Sequence, residues 1–296
     1  TGFVDAAARA SAAGLDGVEI NAGQHSLVRQ FMSGLTNHRD DEWGADKLRF
    51  ARTIIERIRA GGLGAGGVLG LRLSCDELAP WAGVTTEMAP AIAVDLAAAG
   101  LDYLVVTRGS IYTVEKTRPD FHEATGFNID VCRAVRASLR AAGHDLPVFL
   151  QGSIVEPGQA EWALGAGDDE ALADGVEMTR AQIADPDLVA KLRNGAADQI
   201  RPCTRCNQTC QVRDARNPIV TCVGEPTSGR ETEDPDWYEP TRSPRTVNVI
   251  GAGPAGLETA RVAALRGHHV RVFERGSAIG GVAAVAGPHR ALIEWY

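Results

Sequence analysis

The sequence predicts an α/β protein with a parallel sheet, followed by the start of a second α/β unit. Two observations carry this. From the start to about residue 195, short apolar runs alternate with amphipathic helices, the mark of repeated βα units. At residues 247–256 a strand runs straight into a glycine-rich turn and a helix. An apolar content of 44% over 296 residues is enough for a sizeable core and excludes a disordered chain.

Taken in order, the strand candidates are residues 17–20, 68–73, 101–107, 148–151 and 175–178, each a short apolar run. Between the first two, residues 47–59 place Ala51, Ile54, Ile55 and Ile58 on one helical face and Arg49, Arg52, Glu56 and Arg59 elsewhere, as a helix covering a sheet requires. A last helix is expected from Asp185, followed by a first-turn proline, to near Gly195. Five such units fit either a doubly wound sheet or the later part of an eight-stranded barrel, and periodicity does not separate the two. Either fold builds its site from polar residues at strand ends: Asn21, Arg72 to Ser74, Thr107 to Tyr112, Gln151 to Ser153, and Thr179 with Arg180.

The net charge of -8 and the absence of any Lys/Arg-rich run argue against nucleic acid and anionic membranes as partners. No apolar run reaches the roughly 18 residues of a membrane span, and the first residues carry no secretory pattern, so a cytoplasmic protein is expected. The chain starts with Thr1 and stops at Tyr296 shortly after a nucleotide motif, which suggests a piece of a longer protein.

Four of six cysteines crowd into one segment: Cys203, Cys206 and Cys210, completed by Cys222. Three thiolates from one tight loop and a fourth from further along can reach the corners of a cubane iron-sulfur cluster. A zinc ribbon more often uses two separated C-x-x-C knuckles, and unconnected or redox-active thiols are the remaining reading. Cys75 and Cys132 sit in a strand end and an apolar helix and read as core. Residues 225–245, rich in Pro, Thr and charge, read as a linker or extended wrap.

In the glycine-rich turn, Gly251 allows the tight bend, Gly253 lets the backbone approach a pyrophosphate, and Gly256 permits close helix packing. Glu274 ends the next strand, where a carboxylate can accept from ribose hydroxyls, and Gly280-Gly281 is expected to turn nearby. Gly62, Gly64 and Gly67 satisfy the same glycine pattern but lead into a strand instead of following one, so they read as a helix-to-strand loop. His25 lies in a loop after the first strand, and residues 37–42 read on their own as a solvated charged loop.

Together, Asp16-Gly-Val-Glu-Ile20, Phe31-Met-Ser-Gly-Leu-Thr-Asn37-His-Arg39-Asp-Asp41-Glu-Trp43-Gly44, Leu71-Arg72-Leu73-Ser74, Met178-Thr179-Arg180 and the C-x2-C-x3-C-x11-C set resemble the old yellow enzyme family. The resemblance is to its long branch, with 2,4-dienoyl-CoA reductase and trimethylamine dehydrogenase, and it covers nearly the whole chain. It implies an FMN-binding (β/α)8 TIM barrel, a 4Fe-4S cluster, and a Rossmann-like domain binding FAD, with NAD(P)H as electron donor or acceptor and a small organic molecule as substrate. On this basis residues 1–198 are strands four to eight of the barrel, 199–244 the cluster segment and linker, and 245–296 the start of the FAD/NAD(P) domain.

The resemblance further places Arg72 at the pyrimidine edge of FMN, and Gly152, Ser153, Thr179 and Arg180 around its phosphate. The family's active-site tyrosine, six residues after the position of Ile20, is Ser26 here. The proton donor expected in its place is Tyr112, or His25 in the facing loop, with solvent or no acid at all as the remaining alternative. The function implied is an oxidoreductase reducing enoate- or dienoyl-type substrates or oxidising amines or alcohols. The alternatives are a non-catalytic, metal-stapled nucleotide-binding protein or an inactive fragment.

Overall fold

The computed structural model describes residues 1–167, 170–211, 216, 219–233 and 237–296. Parts of the cysteine segment (212–215 and 217–218) and of the expected linker (234–236) lie outside the described residues. The chain forms two compact units, Thr1–Met178 and Thr179–Tyr296.

The first unit runs α1 (Gly2–Ala12), β1 (Gly17–Ala22), α2 (Leu27–Met32), α3 (Glu42–Ala45), α4 (Arg49–Gly61), β2 (Val68–Ser74), α5 (Ala89–Ala98), β3 (Tyr103–Thr107), α6 (Val114–Thr117), α7 (Ile129–Ala141), β4 (Val148–Leu150), α8 (Pro157–Ala163) and β5 (Gly175–Val176). Its five strands are all parallel and lie in the order β1-β2-β3-β4-β5. A doubly wound sheet reverses its strand order at a switch point, whereas this sheet advances in one direction, as a barrel does.

Strand periodicity divides the side chains between two faces. Leu69, Leu71, Leu73, Leu104, Val106, Val148 and Leu150 are sealed in one core with Ile54, Ile55 and Ile58 of α4, Ile92 and Leu96 of α5, and Val131, Val135 and Leu139 of α7. Each such side chain stabilises the fold by roughly 1.5–3 kcal/mol relative to exposure. The opposite face carries Glu19, Arg72, Tyr103 and Phe149, with Glu19 level with Gly70, Gly70 with Tyr103, and Phe149 with Gly175. The two glycines make room for rings: a Cβ on Gly70 would lie 2.0 Å from Tyr103 Cζ, and one on Gly175 would lie 2.4 Å from the Phe149 ring.

This second face is concave. In a flat sheet β2 and β5 would be about 14 Å apart at about 4.8 Å per strand, yet Arg72 of β2 donates to Glu177, just past β5, at 2.5 and 2.8 Å. The sheet curls, but among the described residues β1 and β5 stay unpaired edges and no barrel closes.

The second unit contains α9 (Thr179–Ala184), α10 (Leu188–Arg193), β6 (Thr246–Ile250), α11 (Pro254–Leu265), β7 (His269–Phe273) and α12 (Arg290–Trp295). β6 and β7 are parallel, with Thr246 level with His269 and Ile250 with Phe273, and α11 makes the crossover. The helix expected from Asp185 begins only at Leu188. The Asp185 carboxylate accepts from the main-chain N–H groups of Asp187 (3.1 Å) and Arg201 (2.8 Å) and pairs with Lys191 (2.6 Å), which holds residues 185–187 in a turn. Gly62 to Gly67 lie between α4 and β2, the helix-to-strand loop read from the sequence.

Among the described residues no helix is long and apolar enough to cross a membrane.

Candidate active site

In the first unit, the loops after β1, β2 and β3 are tied together at the strand ends. Gln24 and Ser110 form an isolated parallel bridge, so the loop carrying His25 runs beside the one carrying Tyr112. Tyr112 is 62% exposed in the tight turn Ile111–Thr113. Ser110 fixes that turn: its Oγ accepts from Tyr112 N–H at 3.2 Å and its N–H donates to Thr113 Oγ1 at 2.9 Å. His25 is exposed, and its carbonyl accepts from Gln30 Nε2 at 3.2 Å. Ser26 caps α2, its Oγ accepting from Arg29 N–H at 3.1 Å, so a helix cap occupies this hydroxyl.

Arg29 and Glu77, which sequence reasoning missed, form an ion pair beneath these loops, with side chains only 2% and 0% exposed. Glu77 also accepts from Val84 N–H at 2.8 Å, and its carbonyl accepts from Thr113 Oγ1 at 3.2 Å. The pair thereby joins α2, the loop after β2 and the Tyr112 turn. The one sequence signal was an arginine beside Val28 and Met32, which are buried with it on the inner face of α2.

Arg72 lies on the concave face between two carboxylates. Its Nε and Nη2 donate to Glu19 at 2.7 and 3.3 Å, and its Nη1 and Nη2 donate to Glu177 at 2.8 and 2.5 Å. Burial disfavours its charge, but bonding to Glu177 and then Glu19 outweighs this and raises its pKa. Tyr103 donates to Glu19 at 3.2 Å, and burial together with that carboxylate pushes its pKa up to about 12, so it stays a donor.

At the end of β4, Gly152 (φ 131°) and Ser153 (φ 60°) both have positive φ. A Cβ on Gly152 would lie 2.6 Å from the Asn128 amide, which donates to Gln151 O at 2.6 Å. Ser153 Oγ donates to Pro119 O at 2.9 Å. Positive φ at two successive positions marks a sharp turn at this strand end, the kind of backbone that can face an anion.

In the second unit, Thr179 opens α9, and Arg180 donates to Asn207 Oδ1 at 2.5 Å. Arg180 also lines a small pocket with Cys203, Cys206, Cys210 and Cys222. The free volume there is about 20 Å³, roughly one water, so the four side chains surround one small space. Arg205 and Asn207, with φ of 54° and 50°, curl the loop, and Arg205 N–H points at Cys203 Sγ, 3.4 Å away.

Burial raises the thiol pKa of Cys203 and Cys222, which favours neutral thiols unless a cation compensates. A donor set of four sulfurs suits iron-sulfur or zinc. Among the described residues no group of three or more His, Cys, Asp or Glu is already drawn into metal-holding geometry. Cys75 and Cys132 are fully buried, and burial pushes both thiols up, Cys132 to about 12, as inert core residues.

The glycine turn follows β6 directly. Gly251 has φ 96°, and a Cβ on Gly256 would lie 1.9 Å from Gly251 O, so helix and turn meet without a side chain between them. A Cβ on Gly253 would meet nothing within 4 Å, leaving that face open. Glu274 accepts from Ala252 N–H and Gly276 N–H, each at 2.8 Å, and Gly276 first, then Ala252, lowers its pKa. Gly280 N–H donates to Ala252 O at 2.6 Å, which brings Gly281 beside Gly253.

Three comparisons bear on identity. Residues 249–288 match the NAD(P)-binding Rossmann-like domain model. The chain is 34% identical over 293 residues to a metal reductase of Desulforamulus reducens, covering 97% of this chain and 42% of that protein. It is 36% identical over 286 residues to a probable N-methylproline demethylase of Rhizobium meliloti, covering 94% and 40%. Among solved structures, a 2-naphthoyl-CoA reductase in complex with 2-naphthoyl-CoA superposes with a TM-score of 0.86 at 29% identity, over 99% of this chain and 44% of that one. The chain thus spans less than half the length of these relatives. Residues 1–199, which hold the whole parallel sheet and its strand-end loops, match the NADH:flavin oxidoreductase / NADH oxidase model, and the chain belongs to that family.

Proposed function

We propose that this chain is part of an FMN-, FAD- and 4Fe-4S-dependent oxidoreductase passing electrons between NAD(P)H and a small organic substrate. The observation that carries the reading is the set Cys203, Cys206, Cys210 and Cys222 around one small pocket, in the unit that also holds the glycine turn. A non-catalytic nucleotide-binding protein has no need of residues 1–199 that match a flavin oxidoreductase family. The names of the relatives, a metal reductase, a probable N-methylproline demethylase and a 2-naphthoyl-CoA reductase, support redox work and leave the substrate open between enoate- or dienoyl-type reduction and amine- or alcohol-type oxidation.

In this reading residues 1–198 form part of an FMN barrel, 199–244 the cluster segment and 245–296 the start of the FAD domain. Arg72 would hold the pyrimidine edge of FMN, while Gly152, Ser153, Thr179 and Arg180 would hold its phosphate. The four cysteines would hold the cluster, and Gly251, Gly253, Gly256, Glu274 and Gly281 the FAD. Bound FMN supplies hydride exchange. The chain's own part is to position donors and a proton. Tyr112 or His25, on loops joined by the Gln24–Ser110 bridge, would deliver that proton, with Tyr112 the first choice.

Anaerobic mixing with NADH tests this. The flavin absorbance should bleach, and an activated alkene or a methylated amine should restore it. A flavin that NADH leaves oxidised would contradict the proposal.

A further inference from the structure

Arg72 does not face the concave side of the sheet alone. One guanidinium is shared by two carboxylates, Glu19 at 2.7 and 3.3 Å and Glu177 at 2.5 and 2.8 Å, so one positive and two negative groups leave the trio with a formal charge of -1. A guanidinium has five N–H donors. Nε uses one, Nη2 two and Nη1 one on these carboxylates, which leaves a single Nη1 N–H. Both Glu177 oxygens are turned onto Arg72, and they come from a residue 105 positions away across the curl of the sheet. Glu19 is different: it sits on β1 beside β2 and also takes the Tyr103 hydroxyl at 3.2 Å.

We infer that Glu177 is a positioning residue that sets how much positive charge Arg72 offers to the flavin, and so holds the reduction potential of FMN below what Arg72 with Glu19 alone would give. The inference rests on the FMN site proposed above. Reduction by two electrons builds negative charge on the isoalloxazine ring, and a neighbouring cation favours the reduced form. A carboxylate paired to that cation opposes the effect, most strongly in a partly desolvated interior. Glu177 also fixes the direction of the guanidinium plane, since its two bonds and those to Glu19 clamp the fork from opposite sides.

The test is a dye-equilibrated reductive titration of the FMN-loaded protein, with FMN content measured separately. Glu177→Gln keeps the shape and removes the charge, and should shift the two-electron reduction equilibrium about tenfold toward reduced FMN, about 30 mV upward. Glu177→Asp keeps the charge and should stay near the wild-type potential. If the glutamine variant does not fold, Glu177→Ala should move the potential in the same upward direction. FMN retained in full with an unchanged or lowered potential in the charge-removing variants would overturn the inference and leave the proposed function standing. Wild-type protein without FMN would overturn both.

Discussion

Arg201 and Glu258 face each other at 3.2 Å inside the second unit and join the segment that carries the cysteines to the helix of the glycine turn. Arg201, 3% exposed on its side chain, also pairs with Glu225 at 3.0 Å, three residues after Cys222, donates to Gly224 O, and stacks over Trp295 at 4.6 Å. Breaking a buried pair leaves an uncompensated charge, at a cost of about 3–5 kcal/mol. Arg201→Met should therefore destabilise the second unit sharply, read as a lower urea midpoint, while Arg290→Met, which breaks the exposed pair with Glu294, should change its stability by under about 1 kcal/mol. Equal midpoints for the two variants would refute the assignment.

The same pair sets an acid limit. Burial raises the Glu258 pKa, but hydrogen bonds from Arg261 and Arg201 outweigh it, so the folded value lies below the ordinary 4.5. A depressed folded pKa contributes stability that is complete above the unfolded value and is lost as pH falls through the folded one. Stability of the second unit should fall below about pH 4.5, and Glu258→Gln should flatten that part of the profile. An unaltered acid limb in the variant would count against this.

Arg29 and Glu77 should act on the site through the Tyr112 turn. Glu77→Gln keeps the Val84 contact but removes the charge that meets Arg29, and should destabilise the first unit by roughly 3 kcal/mol. Replacing both residues with apolar ones of similar size should be milder than Glu77→Gln alone, because no charge is then stranded. Thermal melts of the single and double variants decide it, and a double variant worse than the single would be the contrary result.

Tyr112 is exposed and packs little, so Tyr112→Phe should leave the melting temperature unchanged. If it delivers the proton, oxidation of reduced FMN by substrate should slow by roughly 100-fold while reduction by NADH is unaffected. An undiminished oxidative half-reaction would transfer the role to His25 or solvent.

Much of this was legible in the sequence for local reasons. The alternation that buries Leu69, Leu71 and Leu73 fixes β2, the spacing of Ile54, Ile55 and Ile58 fixes α4, and a glycine turn after a strand reads differently from one before it. Periodicity left the choice between a one-way strand order and a doubly wound one open, because it depends on which strands pair, and the barrel was implied by the family resemblance alone. Nor were the partners of Arg72 and Arg201: Glu177 is 105 positions from Arg72, and Glu258 is 57 from Arg201. Asp185 shows the limit at short range. It reads as a helix cap, but its carboxylate bonds the Arg201 N–H and the helix starts later.

The cofactor sites should be separable. A bulky side chain at Gly253 enters the open face of the turn, so Gly253→Val should lose FAD and keep iron. Cys206→Ala should lose iron and keep FMN, because Arg72, Gly152 and Ser153 lie outside the cysteine segment. Loss of all cofactors together in either variant would argue against separate sites.

The most direct measurement is the visible spectrum with iron, sulfide, zinc and flavin content of anaerobically purified protein. A brown protein with about four iron and about four sulfide per chain, together with FMN, is the result the proposed function predicts. A colourless protein with one zinc per chain and no flavin would contradict it.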